Sequence, residues 1–187
     1  VAAVKRLLAW LEKDSSAKGQ RDYAVVYTLV TSGLRSAELV QLRWKDLELF
    51  EGTWTARFIG MGNREAEQEL YTQAVEACRR YFKSQFKREP VPEDALFWTF
   101  PTYRGDKTRP LAYQTLWRRI KEIGKAAREL GWSPHLFRRF YATALYKSGM
   151  GIKAIQEKTR HTNIDILVRH YIHDEEPASP YFEKMLG

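Results

Sequence analysis

The sequence predicts a mainly α fold that carries one small three-stranded antiparallel β-sheet. Three observations predict it. Most of the chain places apolar residues at helical spacing, whereas residues 47–70 break into short segments separated by glycine turns. The chain is also rich in aromatics, with six Trp, ten Tyr and nine Phe, which suits a packed core rather than disorder. Its 187 residues fit one domain, or one domain with a small appendage, and a 44% apolar content is enough for a core.

Val1 to Glu12 sets Val4, Leu7, Leu8 and Leu11 on one helical face. It reads as an amphipathic helix and not a signal peptide, because no cleavage pattern follows and an acid closes it. Asp14 to Gly19 is a polar break, and Arg21 to Thr31 is a buried helix that stops at Ser32-Gly33. Ser36 then caps a short helix running through Arg43. Leu47–Phe50, Trp54–Ile59 and Glu67–Leu70 are the expected strands, joined by turns at Glu51-Gly52 and Gly60-Met61-Gly62-Asn63. Thr72 to Phe86 returns to helical spacing, and Lys87 to Asp94, with two prolines, is a loop. Phe97 to Pro110 is a long irregular stretch containing Arg104, Lys107 and Arg109; it suits a DNA-facing loop or a solvated charged one equally well.

Leu111 to Leu130 is a helix. Ser133-Pro134 starts the next, with a capping residue followed by proline at the first helical position, and that helix runs to about Ser148 and ends at Gly149. Ile152–Lys158 and Ile164–Ile172 are two further short helices. The tail, 174–187, opens acidic and closes on Tyr181, Phe182, Met185 and Leu186.

No apolar run approaches the eighteen residues of a membrane span. The lone Cys78 excludes an internal disulfide and cysteine-built zinc sites, and suits a reducing cytosol. A net charge of +8 favours a polyanionic partner, with nucleic acid first.

Three segments carry candidate chemistry. His135 and Arg138 lie three apart near a helix start, which suits a phosphate clamp or an ordinary solvated basic turn. Arg35 follows the glycine turn of Thr31-Ser32-Gly33-Leu34-Arg35-Ser36-Ala37-Glu38-Leu39, where a fixed guanidinium can contact phosphate; Glu38 either orients it or serves as a first-turn acid. Tyr171 sits in Arg169-His170-Tyr171-Ile172-His173, after Arg160-His161-Thr162-Asn163, and is either a nucleophile or packing material.

In combination and in order these pieces become specific. Gly-Leu-Arg-x-x-Glu-Leu, a hairpin with a glycine turn, His-x-x-Arg within 134–143, an isolated His and then Tyr-x-His resemble the tyrosine recombinase (phage integrase) family from about Val4 to His173. The resemblance implies a catalytic domain over 1–187, with 1–13 as linker and first helix and 174–187 as a C-terminal tail. In relatives a helical DNA-binding domain precedes it, and we expect that domain to be missing from this sequence. The implied activity is site-specific DNA cleavage and rejoining through a 3′-phosphotyrosyl intermediate, with no cofactor and no metal. Tyr171 would be the nucleophile. Arg35 and Arg138 would hold the non-bridging oxygens, His135 would take the tyrosine proton, His161 would hydrogen-bond the phosphate, and Glu38 would support the site from behind. The implied partner is double-stranded DNA, engaged as a homotetramer on paired sites; the tail either docks on a neighbouring protomer or folds onto its own domain. A cytoplasmic, nucleoid-associated location follows from the same resemblance.

Two departures stand out. The family places a proton-donating lysine in the hairpin turn, where this chain has Met61, which has no proton to give. That leaves an introduced change, a natural variant with another donor, or a degenerate recombinase, so a catalytically impaired DNA-binding relative remains an alternative. A topoisomerase of type IB, with the same tyrosine chemistry, is another. The second departure is Arg160, where relatives often carry glycine before the histidine.

Overall fold

The computed structural model describes residues 2–60, 62–101, 107–128 and 131–160. The chain divides into two compact units, 1–141 and 142–187.

In the first unit, helix α1 (Ala2–Leu11) buries Val4, Leu7 and Leu11, the stripe read from its spacing. Helix α2 (Ala17–Ser32) begins one turn earlier than its apolar pattern suggests. Ser16 caps it by accepting a hydrogen bond from the Gly19 N–H at 3.0 Å, so the polar break shortens. Its Ala24, Val25, Val26, Leu29 and Val30 pack into the core beside Val75, Cys78, Tyr81 and Phe82 of α4 (Thr72–Phe86).

After α2 comes a single turn of helix, α3 (Ser36–Leu39), and not a helix reaching Arg43. The chain leaves it so that Leu42 and Trp44 can enter the core, and Arg43 bridges to Ala95. Ser36 is not the cap: Arg35 holds the extended capping position and Ser36 is the first helical residue.

Strands β1 (Leu47–Phe50), β2 (Thr53–Ile59) and β3 (Glu65–Leu70) form an antiparallel sheet in the order β1-β2-β3, with Leu47 opposite Ala56 and Trp54 opposite Leu70. The expected sheet is present, with β2 and β3 each starting one or two residues early. Ala56, Phe58, Gln68 and Leu70 are buried, whereas Arg57 and Glu67 on the outer face pair at 2.8 Å. The hairpin turn closes through Gly60 N–H to the Arg64 carbonyl at 2.7 Å.

The stretch after α4 is less irregular than its sequence. Trp98 bridges to Pro110, and Thr99 N–H donates to the Arg109 carbonyl at 2.7 Å. The Tyr81 hydroxyl accepts the Trp98 N–H at 2.9 Å, and the Tyr81 ring stacks on Phe97. Leu111 N–H donates to the Phe97 carbonyl at 2.9 Å, Ala112 is extended at the capping position, and helix α5 (Tyr113–Ala126) starts two residues later than expected. A buried carboxylate ties α5 to α2: Asp22 accepts from Arg21 at 2.7 Å on one oxygen and from Arg119 at 2.7 Å on the other. Helix α6 (Pro134–Lys147) opens with proline at its first position, and Phe137, stacked on Trp132 at 5.2 Å, anchors it.

In the second unit the described part packs Ala142 and Ile155 against Leu145, Tyr146, Met150 and Ile152. Helix α7 (Ile152–Thr159) ends at Arg160, which takes the left-handed conformation with φ 52. Glycine adopts that conformation without steric cost, which is the physical reason for glycine at such a position. The expected helix at 164–172 and the tail at 174–187 lie outside the described residues. Among the described residues no helix is long and apolar enough to cross a membrane.

Candidate active site

The site starts at Gly33. Its φ of 65 and its N–H bond to the Leu29 carbonyl end α2 with a left-handed residue. A side chain there would also collide with α6, since a Cβ would lie 2.3 Å from Cδ1 of Tyr141. The absence of a side chain therefore serves two purposes, reversing the chain and letting α6 approach the turn.

Two residues on, Arg35 is extended and held from both ends by Glu38. One carboxylate oxygen accepts the Arg35 backbone N–H at 2.8 Å and the other accepts its guanidinium Nη1 at 3.0 Å. Glu38 is buried, so this pair fixes the arginine more firmly than a surface ion pair would. Both alternatives for Glu38 hold at once: it is the acid of the first turn and the group that orients Arg35.

From the other side, α6 brings His135 and Arg138 on one face. Arg138 is 6% exposed, and its Nη1 donates to the Gly33 carbonyl at 2.7 Å, linking residues 105 apart in sequence. His135, one turn nearer the helix start, is exposed. Leu34, Arg35, Ser36, Ala37, Tyr113, Pro134, His135 and Arg138 together line a cavity of about 180 Å³. It holds two guanidiniums and an imidazole, and among the described residues lining it none is acidic. Such an arrangement suits a tetrahedral oxyanion, because planar, permanently charged arginines match its oxygens and the apolar walls limit screening.

The structure thus brings together four of the seven residues singled out in the sequence: Arg35, Glu38, His135 and Arg138. Met61, His161 and Tyr171 lie outside the described residues. Sequence reasoning missed Tyr113, which joins the cavity from the first position of α5, and it misassigned Ser36 as a cap. Nothing in the spacing pointed to Tyr113. Gly33 was legible as a helix end, but not as the acceptor that anchors Arg138.

The phage integrase family matches residues 2–177, and the chain belongs to that family. It is 29% identical over 167 residues to the tyrosine recombinase XerD of Staphylococcus saprophyticus, covering 88% of this chain and 55% of that protein. It is 33% identical over 145 residues to the tyrosine recombinase XerC of Vibrio cholerae, covering 77% and 44%. The chain therefore spans about half the length of the curated relatives it matches.

Solved structures share the fold. The XerH site-specific recombinase bound to its difH substrate superposes with a TM-score of 0.71 at 22% identity, over 97% of this chain and 51% of that one. The Tn1549 transposon integrase in complex with transposon right end DNA gives a TM-score of 0.71 at 20% identity, over 100% and 65%.

Proposed function

We propose that this chain is the catalytic part of a site-specific DNA recombinase that cuts and rejoins double-stranded DNA through a covalent 3′-phosphotyrosyl intermediate. The observation that carries the reading is the convergence of Arg35, His135 and Arg138, from segments about a hundred residues apart, on one cavity with no acidic lining among the described residues. Phosphate is the anion that this charge pattern fits. The family supplies the reaction, and the relatives named XerC, XerD and XerH are recombinases.

In this reading the Tyr171 phenolate attacks the scissile phosphorus, forming a P–O bond to tyrosine as the bond to the 5′-oxygen breaks. His135 accepts the phenol proton, and the departing 5′-oxygen takes up a proton. Arg35 and Arg138 neutralise the non-bridging oxygens as charge builds, with Glu38 and the Gly33 carbonyl keeping them in place. His161 adds a hydrogen bond to the phosphate. Reversal by a 5′-hydroxyl from another strand rejoins the DNA without a nucleotide or a metal, because the phosphotyrosyl bond retains the phosphodiester energy. The working unit is a homotetramer on two paired sites within the cytoplasm, with a separate N-terminal domain completing the grip on the duplex and 174–187 docking on a neighbouring protomer.

The test is covalent trapping by the full-length protein on a nicked duplex carrying a site selected from a random pool. It is run with a 5′-oxygen and with a 5′-thiol leaving group, which needs no proton. Adduct on both, lost in Tyr171→Phe, supports an active recombinase with a proton donor other than position 61. Adduct on the sulfur substrate alone means the clamp and nucleophile are intact and the chain is disabled at Met61. No adduct on either replaces this reading with that of a DNA-binding relative.

A further inference from the structure

We infer that the hydroxyl of Ser36 is a further phosphate-contacting group of this cavity, donating a hydrogen bond to a non-bridging oxygen beside Arg35. The inference deepens the recombinase reading and rests on it for the identity of the anion.

Ser36 looks like a helix cap in the sequence, and the structure takes that role away. Position 35 is the cap residue, and Glu38 satisfies its N–H. Ser36 is 5% exposed, lines the cavity with Arg35, His135 and Arg138, and its Oγ has no hydrogen-bond partner among the described residues. A buried hydroxyl without a partner is costly, and native structures rarely keep one without a use. Neighbouring hydroxyls on the same segment are satisfied. Thr31 Oγ1 donates to the Tyr27 carbonyl at 2.8 Å, and Ser32 Oγ donates to the Thr28 carbonyl at 2.6 Å while accepting the Leu34 N–H at 3.2 Å. Ser36 is the exception, and it is the one of the three that lines the cavity. Its hydroxyl sits on a single rotatable bond, so one change of rotamer brings the oxygen to a new partner. A tetrahedral oxyanion held by Arg35 would supply that partner, and a neutral O–H donor complements the two guanidiniums without adding charge.

The test compares wild type, Ser36→Ala and Ser36→Thr in the full-length protein. It measures three quantities: the thermal midpoint without ligand, the rate of adduct formation on the 5′-thiol nicked duplex, and the affinity for inorganic phosphate at constant ionic strength. Removing an unpartnered hydroxyl should leave the midpoint of Ser36→Ala unchanged or raise it. The adduct rate of the alanine variant should fall about tenfold or more, the worth of one hydrogen bond to a charged acceptor. Ser36→Thr, which keeps the hydroxyl, should recover most of the rate. An alanine variant as fast as wild type overturns the assignment, and so does a threonine variant as slow as alanine, because the loss would then come from packing. If wild type forms no adduct, the recombinase reading fails separately, and the phosphate titration decides. Weaker binding in Ser36→Ala alone supports the contact, and equal binding in all three proteins overturns it.

Discussion

Replacing Gly33 by alanine tests the geometry of the site at its pivot. Two costs can be worked out. Alanine in the left-handed conformation, here φ 65, costs about 1 kcal/mol or somewhat more. The new methyl would lie 2.3 Å from Tyr141 Cδ1 and 2.9 Å from Cε1 and Cγ, well inside the usual carbon–carbon contact of about 3.5–4.0 Å. Forcing the ring away costs roughly 1–3 kcal/mol. The sum is about 3 kcal/mol, or a fall of roughly 6–12 °C in thermal midpoint for a chain of this size. The Gly33 carbonyl that receives Arg138 moves with the turn, as does Arg35 two residues later. Adduct formation should therefore fall by more than about tenfold even at temperatures where the variant stays folded. The assay is a thermal double-mutant cycle with Tyr141→Ala, run beside covalent trapping. Removing the ring relieves the clash and leaves the backbone cost, so the double variant should be about 1–3 kcal/mol more stable than additivity gives. A Gly33→Ala midpoint within about 2 °C of wild type, or a strictly additive cycle, would refute the claim that this glycine is required by close approach.

Two further outcomes follow from buried charge. Asp22→Asn takes a carboxylate from between Arg21 and Arg119 and should cost about 3 kcal/mol in urea denaturation, because Arg21 stays buried without its counter-charge; Arg119→Ala should cost clearly less, since Arg21 keeps Asp22. At Asp94, hydrogen bonds from Arg88, reinforced by the Val91 N–H, outweigh burial and hold the carboxyl below its ordinary value. Its stabilisation is therefore present above the ordinary carboxylate range and lost as pH falls through the lowered value. The gap in stability between wild type and Asp94→Asn should be constant near neutrality and begin to narrow below about pH 4; a gap that widens or stays constant as the pH falls below that range would contradict the assignment.

Much of the fold was legible because local chemistry governs it. Alternating burial in 56–59 and the turns at Gly52 and Gly62 require a hairpin, and Gly33 can only be a helix end. The elements that were misjudged are those where a local cap went unread or where a distant partner overrides local preference. α2 starts at Ala17 because Ser16 caps it, α3 stops at Leu39 because Leu42 and Trp44 are drawn into the core, and α5 starts only after Leu111 has bonded to Phe97 and Ala112 has taken an extended conformation. At the site, Arg35 and Glu38 were readable as a pair because they lie three apart on one turn, as were His135 and Arg138.

The sequence alone determined the residue types available for chemistry and their order along the chain, since a glycine-bounded arginine and a proline-started His-x-x-Arg helix are written in local preferences. Only the tertiary structure decided that the two segments face one another. The Gly33 carbonyl meets Arg138, Tyr113 completes the cavity from α5, and Ser36 loses its cap role and is left lining that cavity. The physical reason is that a contact between residues about a hundred positions apart depends on how the core packs α2, α5 and α6, and no local spacing encodes that packing.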